Sequence, residues 1–308
     1  MRLAFVRTLT ELAERDARII LLTGDLGYTV IEPFAERFPR RFLNVGVAEQ
    51  NMVGLATGLS EAGFLPFVYS IATFASMRAY EFLRNGPVLH GLPVRLVGIG
   101  AGFEYGHAGM THHNLEDVAL MRVQPGLTVL TPADPHQAAS CLAATWNQPG
   151  PVYYRIGKDD KAVVPGLDGR FRLGRVESIG DGRDVLILAM GSVAANAVEA
   201  SRLLAARAIA ATVGVVSTVS PVPTEDLVRL LSRFPAALTV EAHYVTGGLG
   251  SVASELVAEL GLRCRIIRCG VRGEPREVIG SQSYLERAHG LSADELAANA
   301  EAALRSRV

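Results

Sequence analysis

Aromatic residues make up only 6% of this 308-residue chain, and there are three cysteines with no C-x-x-C pair. Cys141, Cys264 and Cys269 are an odd number in apolar surroundings. They fit buried, reduced thiols better than a disulfide frame or a zinc site. Long apolar runs are missing too: nothing reaches the roughly 20 residues of a membrane span, and Arg2, Arg7, Glu11, Glu14 and Arg15 break up any signal-peptide core. No membrane partner is expected, and a cytoplasmic location is the default. Neither sign of charge dominates, because 30 Lys and Arg face 31 Asp and Glu for a net charge of -1, without a basic block. The electrostatic footprint of a nucleic-acid binder is therefore absent.

What the chain has is aliphatic: 49% of it is hydrophobic, enough for two domain cores of Val, Leu, Ile and Ala. Short β-rich runs at 18–23, 65–69, 94–99, 127–130 and 152–155 are each followed by helical spacing. They predict buried parallel strands with crossover helices. After a charged, Gly-containing passage the rhythm restarts at 184–189, 211–217, 237–241 and 264–269. The fold class is thus α/β, as two consecutive open parallel-sheet domains over 1–157 and 184–308, joined by a linker at 158–183. Helices are expected at 3–15, 47–62, 74–89, 134–147, 193–207, 225–233, 248–260 and 292–306. Ligands of open sheets gather beyond the carboxyl ends of strands, where Glu49, Phe74, the 100–113 loop and Arg155 fall.

Three glycine clusters compete for attention. Gly180-Asp181-Gly182 lacks a following Asn at the spacing of a magnesium motif and predicts a hairpin turn. Gly98-Ile99-Gly100-Ala101-Gly102 follows a strand without the G-x-G-x-x-G spacing. Gly247-Gly248-Leu249-Gly250 opens a helix and could offer amides to an anion, though a tight turn assumes less. His112 and His113 are adjacent, so their rings diverge, and a proton or hydrogen-bond role suits one of them better than a shared metal.

Three further elements occur in fixed order: Glu49 opening an apolar, small-residue helix; Thr73-Phe74 with Met77, Arg78 and Tyr80; and Gly106-His107-Ala108-Gly109-Met110-Thr111-His112-His113. Together they resemble the pyrimidine-binding and C-terminal domains of transketolases, and the likeness runs over essentially the whole chain. The resemblance implies thiamine diphosphate chemistry. Glu49 matches the acid that hydrogen-bonds the pyrimidine N1′, coupling a proton in a water-poor pocket to the conjugated ring. Phe74 matches the aromatic packed on that ring, with Met77 and Tyr80 at i+3 and i+6. His112 matches a histidine near the coenzyme and the donor hydroxyls. Asp25 matches an acid near the coenzyme and the subunit contact. Arg2, Thr29 and Arg155 fall where the family holds sugar phosphate, and a guanidinium fork suits that group.

Two departures from the family shape the expectation. Where many transketolases read Glu-Asp-Gly-Pro-Thr-His, this chain has His107 to His112, so His107 enters the substrate position and the donor's identity is open. The domain that holds the diphosphate through Mg²⁺ has no counterpart here. The resemblance therefore implies an N-terminal partner subunit supplying the Mg²⁺ ligands, in a heterotetramer with two copies of each chain. The expected activity is transfer of a two-carbon ketol unit from a ketose or its phosphate to an aldehyde. Ranked below are a deoxyxylulose-phosphate-synthase-like chain, a 2-oxoacid dehydrogenase β-like subunit, and a non-catalytic scaffold paralogue.

Overall fold

The structure, a computed structural model, describes residues 1–273 and 279–305. Strands β1 (Ile19–Thr23), β2 (Phe42–Asn44), β3 (Leu65–Ile71), β4 (Arg95–Ile99), β5 (Thr128–Leu130) and β6 (Val152–Ile156) form one parallel sheet. Strands β7 (Val176–Ile179), β8 (Val185–Met190), β9 (Ala211–Val216), β10 (Thr218–Ser220), β11 (Ala236–Tyr244) and β12 (Arg265–Val271) follow. The second sheet runs β12-β11-β8-β9-β7, parallel except for β7, which pairs antiparallel with β9. The class is α/β with two parallel-dominant sheets, as the sequence pattern predicts. Runs such as Ile-Ile-Leu-Leu-Thr in β1 and Val-Leu-Ile-Leu-Ala-Met in β8 are buried along their whole length. Helices cover both faces of such a sheet, so apolar side chains on either side leave water.

The two units interlock. β10 leaves the second unit and lies antiparallel on β5, giving the first sheet the order β10-β5-β6-β4-β3-β1-β2. This covers an edge that would otherwise present unpaired backbone. One apolar cluster runs through both units, joining Met52, Leu96 and Val129 to Leu188, Leu227 and Leu249. Two further clusters lie under the outer helices, one around Phe5 and Tyr154, the other around Val198 and Leu296.

Several elements differ from the sequence expectation. The helix expected at 74–89 is a π-helical turn (Phe74–Arg78), a short α-helix (Tyr80–Leu83) and a second π turn (Arg84–Val88) that contains Pro87. Proline has no N–H to give to the ladder, so a continuous α-helix through it would lose a bond and clash. β7 lies inside the range expected to be linker, and Gly180-Asp181-Gly182 connects β7 to β8 although β9 stands between them, so it is no hairpin. Helices Glu32–Arg37, Asp117–Arg122 and Gln282–Ala288 are additional. The last expected helix runs Ala293–Arg305, and its expected end at 306 lies outside the described residues.

Candidate active site

β2 sits beside β1, and the chain turns through Gly46, at φ +73°, before the helix Glu49–Glu61 begins. Glu49 is therefore set at a helix start, beyond the carboxyl ends of the central strands, where the amide dipoles favour a carboxylate. Its side chain is 2% exposed. One oxygen, Oε1, accepts from Ser70 Oγ on β3 at 3.3 Å, and Oε2 accepts from Arg78 Nη1 at 2.9 Å. The Arg78 guanidinium also lies 3.8 Å over the centroid of the Phe74 ring.

Phe74 in turn meets His112 edge to face, with ring centroids 5.1 Å apart. The 100–114 loop makes that contact possible by closing on itself. Gly102 and Asn114 exchange backbone hydrogen bonds at 3.1 and 2.9 Å, and His112 N donates to Gly109 O at 2.9 Å. Gly100 sits at φ +84°, and a Cβ there would come within 2.1 Å of the Tyr105 ring, so only glycine fits. Thr111 Oγ1 lies 2.9 Å from His112 Nδ1 and steadies the imidazole. His113 points the other way, buried against Phe103, with its pKa lowered by burial.

The structure thus brings Glu49, Phe74 and His112 into one cluster, and other expected residues border it or lie apart. Asp25, at φ +57°, is exposed and accepts from Tyr28 OH at 2.8 Å and Asn44 Nδ2 at 3.1 Å. Those two bonds, Tyr28 first, hold its carboxyl below the usual range. Asn44 also caps the turn into Glu49, accepting from Gly46 N at 3.1 Å. Thr29, at φ +68°, is exposed and its N–H meets Glu32 Oε1 at 2.7 Å. Met77 is exposed, with Sδ 3.8 Å from Thr73 Oγ1, and His107 is exposed on the short turn Gly106–Ala108. Arg2 Nε donates to Lys158 O at 3.3 Å and its guanidinium stands 3.7 Å from Asp160.

Tyr80 and Arg155 are where geometry departs most from the expectation. Tyr80, six residues on from Phe74, falls off its face of the helix, and its hydroxyl donates to Leu120 O at 2.9 Å. Arg155 is 2% exposed and faces Asp117, itself 0% exposed, with Nε 2.8 Å from Oδ2. Its Nη2 donates to Asn114 O at 2.9 Å and to Ala242 O at 3.0 Å. The guanidinium is committed to joining the two units and offers no open face to a phosphate.

The helix start at Gly247-Gly248-Leu249-Gly250 is already occupied, by a carboxyl group of the chain itself. Leu249 N and Gly250 N donate to the two oxygens of Glu241 at 2.7 and 2.8 Å. A Cβ on Gly248 would sit 1.9 Å from Glu241 Oε2, so the glycine lets the carboxylate in. Burial still pushes that carboxyl up to about 7. His243, nearby, donates from Nδ1 to Tyr244 O at 2.6 Å and accepts at Nε2 from Ala119 N at 3.4 Å, which suits the neutral ring. Burial lowers its pKa to about 4.

An unfolded histidine titrates near 6.5, so between that value and about 4 the unfolded chain binds the extra proton. The stabilisation from His243 is complete above pH 6.5 and lost as pH falls toward 4, by up to about 3 kcal/mol. Glu241 works in the opposite sense, being favoured folded when protonated and less so as pH rises through 7. Urea midpoints of wild type and His243→Gln should therefore converge as pH is lowered from 7 to 4.5. A gap that stays constant over this interval would rule out the neutral buried ring.

The residues fit an aminopyrimidine. The ring would need a buried carboxylate for its nitrogen, an apolar face to pack on, and room beside the carboxylate. Gly24 contributes to that room, because a Cβ there would lie 3.8 Å from Glu49 Oε1. A divalent metal finds no such donor set: among the described residues no group of three or more His, Cys, Asp or Glu stands close enough to hold one. No described helix is long and apolar enough to cross a membrane.

Fold and site together define a two-unit α/β protein with a buried carboxylate and an aromatic pair beyond the carboxyl ends of its first sheet. Residues 1–161 match the model for the transketolase pyrimidine binding domain, and residues 174–296 that for the transketolase C-terminal domain. The chain belongs to the transketolase family, in the group of split-transketolase C-terminal subunits. It is 37% identical over 299 residues to the 6-deoxy-6-sulfo-D-fructose transketolase subunit SqwH of a Clostridium species, covering 96% of this chain and 92% of that one. It is 34% identical over 271 residues to an apulose-4-phosphate transketolase subunit of Phocaeicola vulgatus, covering 86% of each. A solved structure described as a split gene transketolase, inactive beta4 tetramer, superposes with a TM-score of 0.89 at 36% identity, covering 100% of this chain and 99% of that one.

Proposed function

We propose that this chain is the pyrimidine-binding half of a two-chain, thiamine diphosphate-dependent transketolase. The observation that carries the reading is the buried Glu49 carboxylate beside Phe74, with His112 on the same ring. Glu49 would hydrogen-bond the pyrimidine N1′, Phe74 would pack on the ring with Met77 at its rim, and Asp25 would border the subunit contact. When bound, thiamine diphosphate supplies the nucleophilic carbon that takes up a two-carbon ketol unit from a ketose or ketose phosphate and passes it to an aldehyde. His112 would hold or move a proton at the donor hydroxyls, since one ring nitrogen is steadied by Thr111 and the other is left for substrate. The diphosphate and its Mg²⁺ would be held by an N-terminal partner subunit, in an α2β2 assembly working in the cytoplasm.

His107 and Met110 are both exposed in the segment where many transketolases carry an acid and a proline. They give the substrate mouth a different chemistry, and two similar chains carry names with different substrates, 6-deoxy-6-sulfo-D-fructose and apulose-4-phosphate. Donor choice is accordingly proposed to be set by this segment together with Thr29 and Arg2. Arg155, sealed against Asp117, is left out of the substrate site.

The test is reconstitution. The purified chain is expected to bind thiamine diphosphate weakly and to turn nothing over, while the chain mixed with an N-terminal subunit and Mg²⁺ transfers ketol units from at least one ketose of a donor panel. Robust turnover by the single chain would refute the two-chain reading, and CO₂ release from pyruvate without ketol transfer would move the pair to 2-oxoacid chemistry.

A further inference from the structure

Among the described residues the Glu49 carboxylate has two hydrogen-bond partners, Ser70, which is buried beside it, and Arg78, which is 46% exposed. The π-helical turn from Phe74 to Arg78 explains why these two side chains meet. Side chains four residues apart lie on one face of a helical turn, so residue 78 comes to lie over residue 74. As a result one guanidinium does two things. It donates to Glu49 Oε2 at 2.9 Å, and its central carbon stands over the Phe74 ring, 3.8 Å from the centroid. Those are the two contacts that an aminopyrimidine would need, a carboxylate oxygen for a ring nitrogen and an aromatic face to stack on. A guanidinium is planar, cationic and rich in N–H donors, so it imitates the edge and face of such a ring.

We propose that Arg78 is an exchangeable placeholder for the coenzyme's pyrimidine. Its guanidinium satisfies the buried Glu49 and covers Phe74, and it must swing outward for the ring to enter. The inference rests on the coenzyme reading of the site and adds to it a competition between a residue of the chain and the ligand. The exposed half of the side chain makes that motion local, because Arg78 can reach solvent without moving the helix behind it. Glu49 cannot leave in the same way, since it is sealed at the helix start. An unpaired buried carboxylate is costly, so the exchange keeps the site satisfied before and after binding.

Two measurements on the complex with the N-terminal subunit test this. Calorimetric titration with thiamine diphosphate and Mg²⁺ should give about tenfold tighter binding for Arg78→Ala than for wild type, equivalent to about 1.4 kcal/mol, because the competitor is gone. Arg78→Lys, which keeps the charge but loses the guanidinium over the ring, should fall between them. Without coenzyme, Arg78→Ala should lower the melting temperature of the complex, and the same change in a Glu49→Gln background should lower it less, because no carboxylate is then stranded. Equal or weaker coenzyme binding by Arg78→Ala would overturn the placeholder, making Arg78 a bystander or a ligand. If neither wild type nor variant binds the coenzyme, the coenzyme reading itself fails and the placeholder goes with it. Binding by wild type with no gain in the variant sinks the placeholder alone.

Discussion

Glu49→Ala in the assembled two-chain complex is expected to lower ketol transfer by about 10²–10⁴-fold, the range for losing one positioned acid or base. The fold should barely notice. Glu49 touches the rest of the chain through Ser70 and a half-exposed Arg78, and such a pair together with its helix-terminal position contributes about 1 kcal/mol or less. Activity and stability are thereby separated, as they would not be if the residue were merely part of a core. The direct readout is hydrogen–deuterium exchange at the C2 carbon of bound thiamine diphosphate, which should slow with turnover while the melting temperature shifts by only a few degrees. Wild-type exchange in the variant would remove Glu49 from the chemistry. A melting temperature that collapses would make it structural.

The strands are the most legible part of this chain, because a parallel sheet covered on both faces writes itself as runs of Ile, Leu and Val, as in most of β1 and β8. The strands that escaped notice are short or half-covered. β2 is three residues with an exposed end, β10 pairs across from the other unit, and β7 mixes Glu and Ser with its apolar residues. Spacing alone also does not reveal the π turns of the 74–88 segment, and Tyr80, six residues on from Phe74, falls off its face because helical neighbours are i+3 and i+4. Glu49, Phe74 and His112 were readable as a site because a family resemblance tied three distant motifs together. Nothing in the spacing announced that Arg78 would close on Glu49, 29 residues away, or that Asp117 would meet Arg155 at 38. Such pairs are decided by how strands stack, and a single sequence does not record strand order.

The second large effect is expected at that last pair. Asp117 and Arg155 are both buried, and Asp117 also accepts from Tyr153 OH at 2.6 Å. Asp117→Ala would strand a guanidinium with only two carbonyl partners, Asn114 O and Ala242 O, and should cost about 3–5 kcal/mol. For a chain of this size that corresponds to a fall in melting temperature of about 5–8 °C. The loss should not stop at stability. Arg155 ties the end of the 100–114 loop to β11 of the second unit, so its release loosens the segment that places His112 against Phe74. Turnover of the complex should therefore drop at temperatures well below unfolding. Replacing both partners, as Asp117→Leu with Arg155→Met, should restore much of the stability, because no charge is left buried and unpaired. It should not restore full activity, since the tether from Arg155 to Asn114 is also gone. If Asp117→Ala melts within about 2 °C of wild type, the pair is not holding the units together, and the placement of His112 must depend on the loop's own hydrogen bonds.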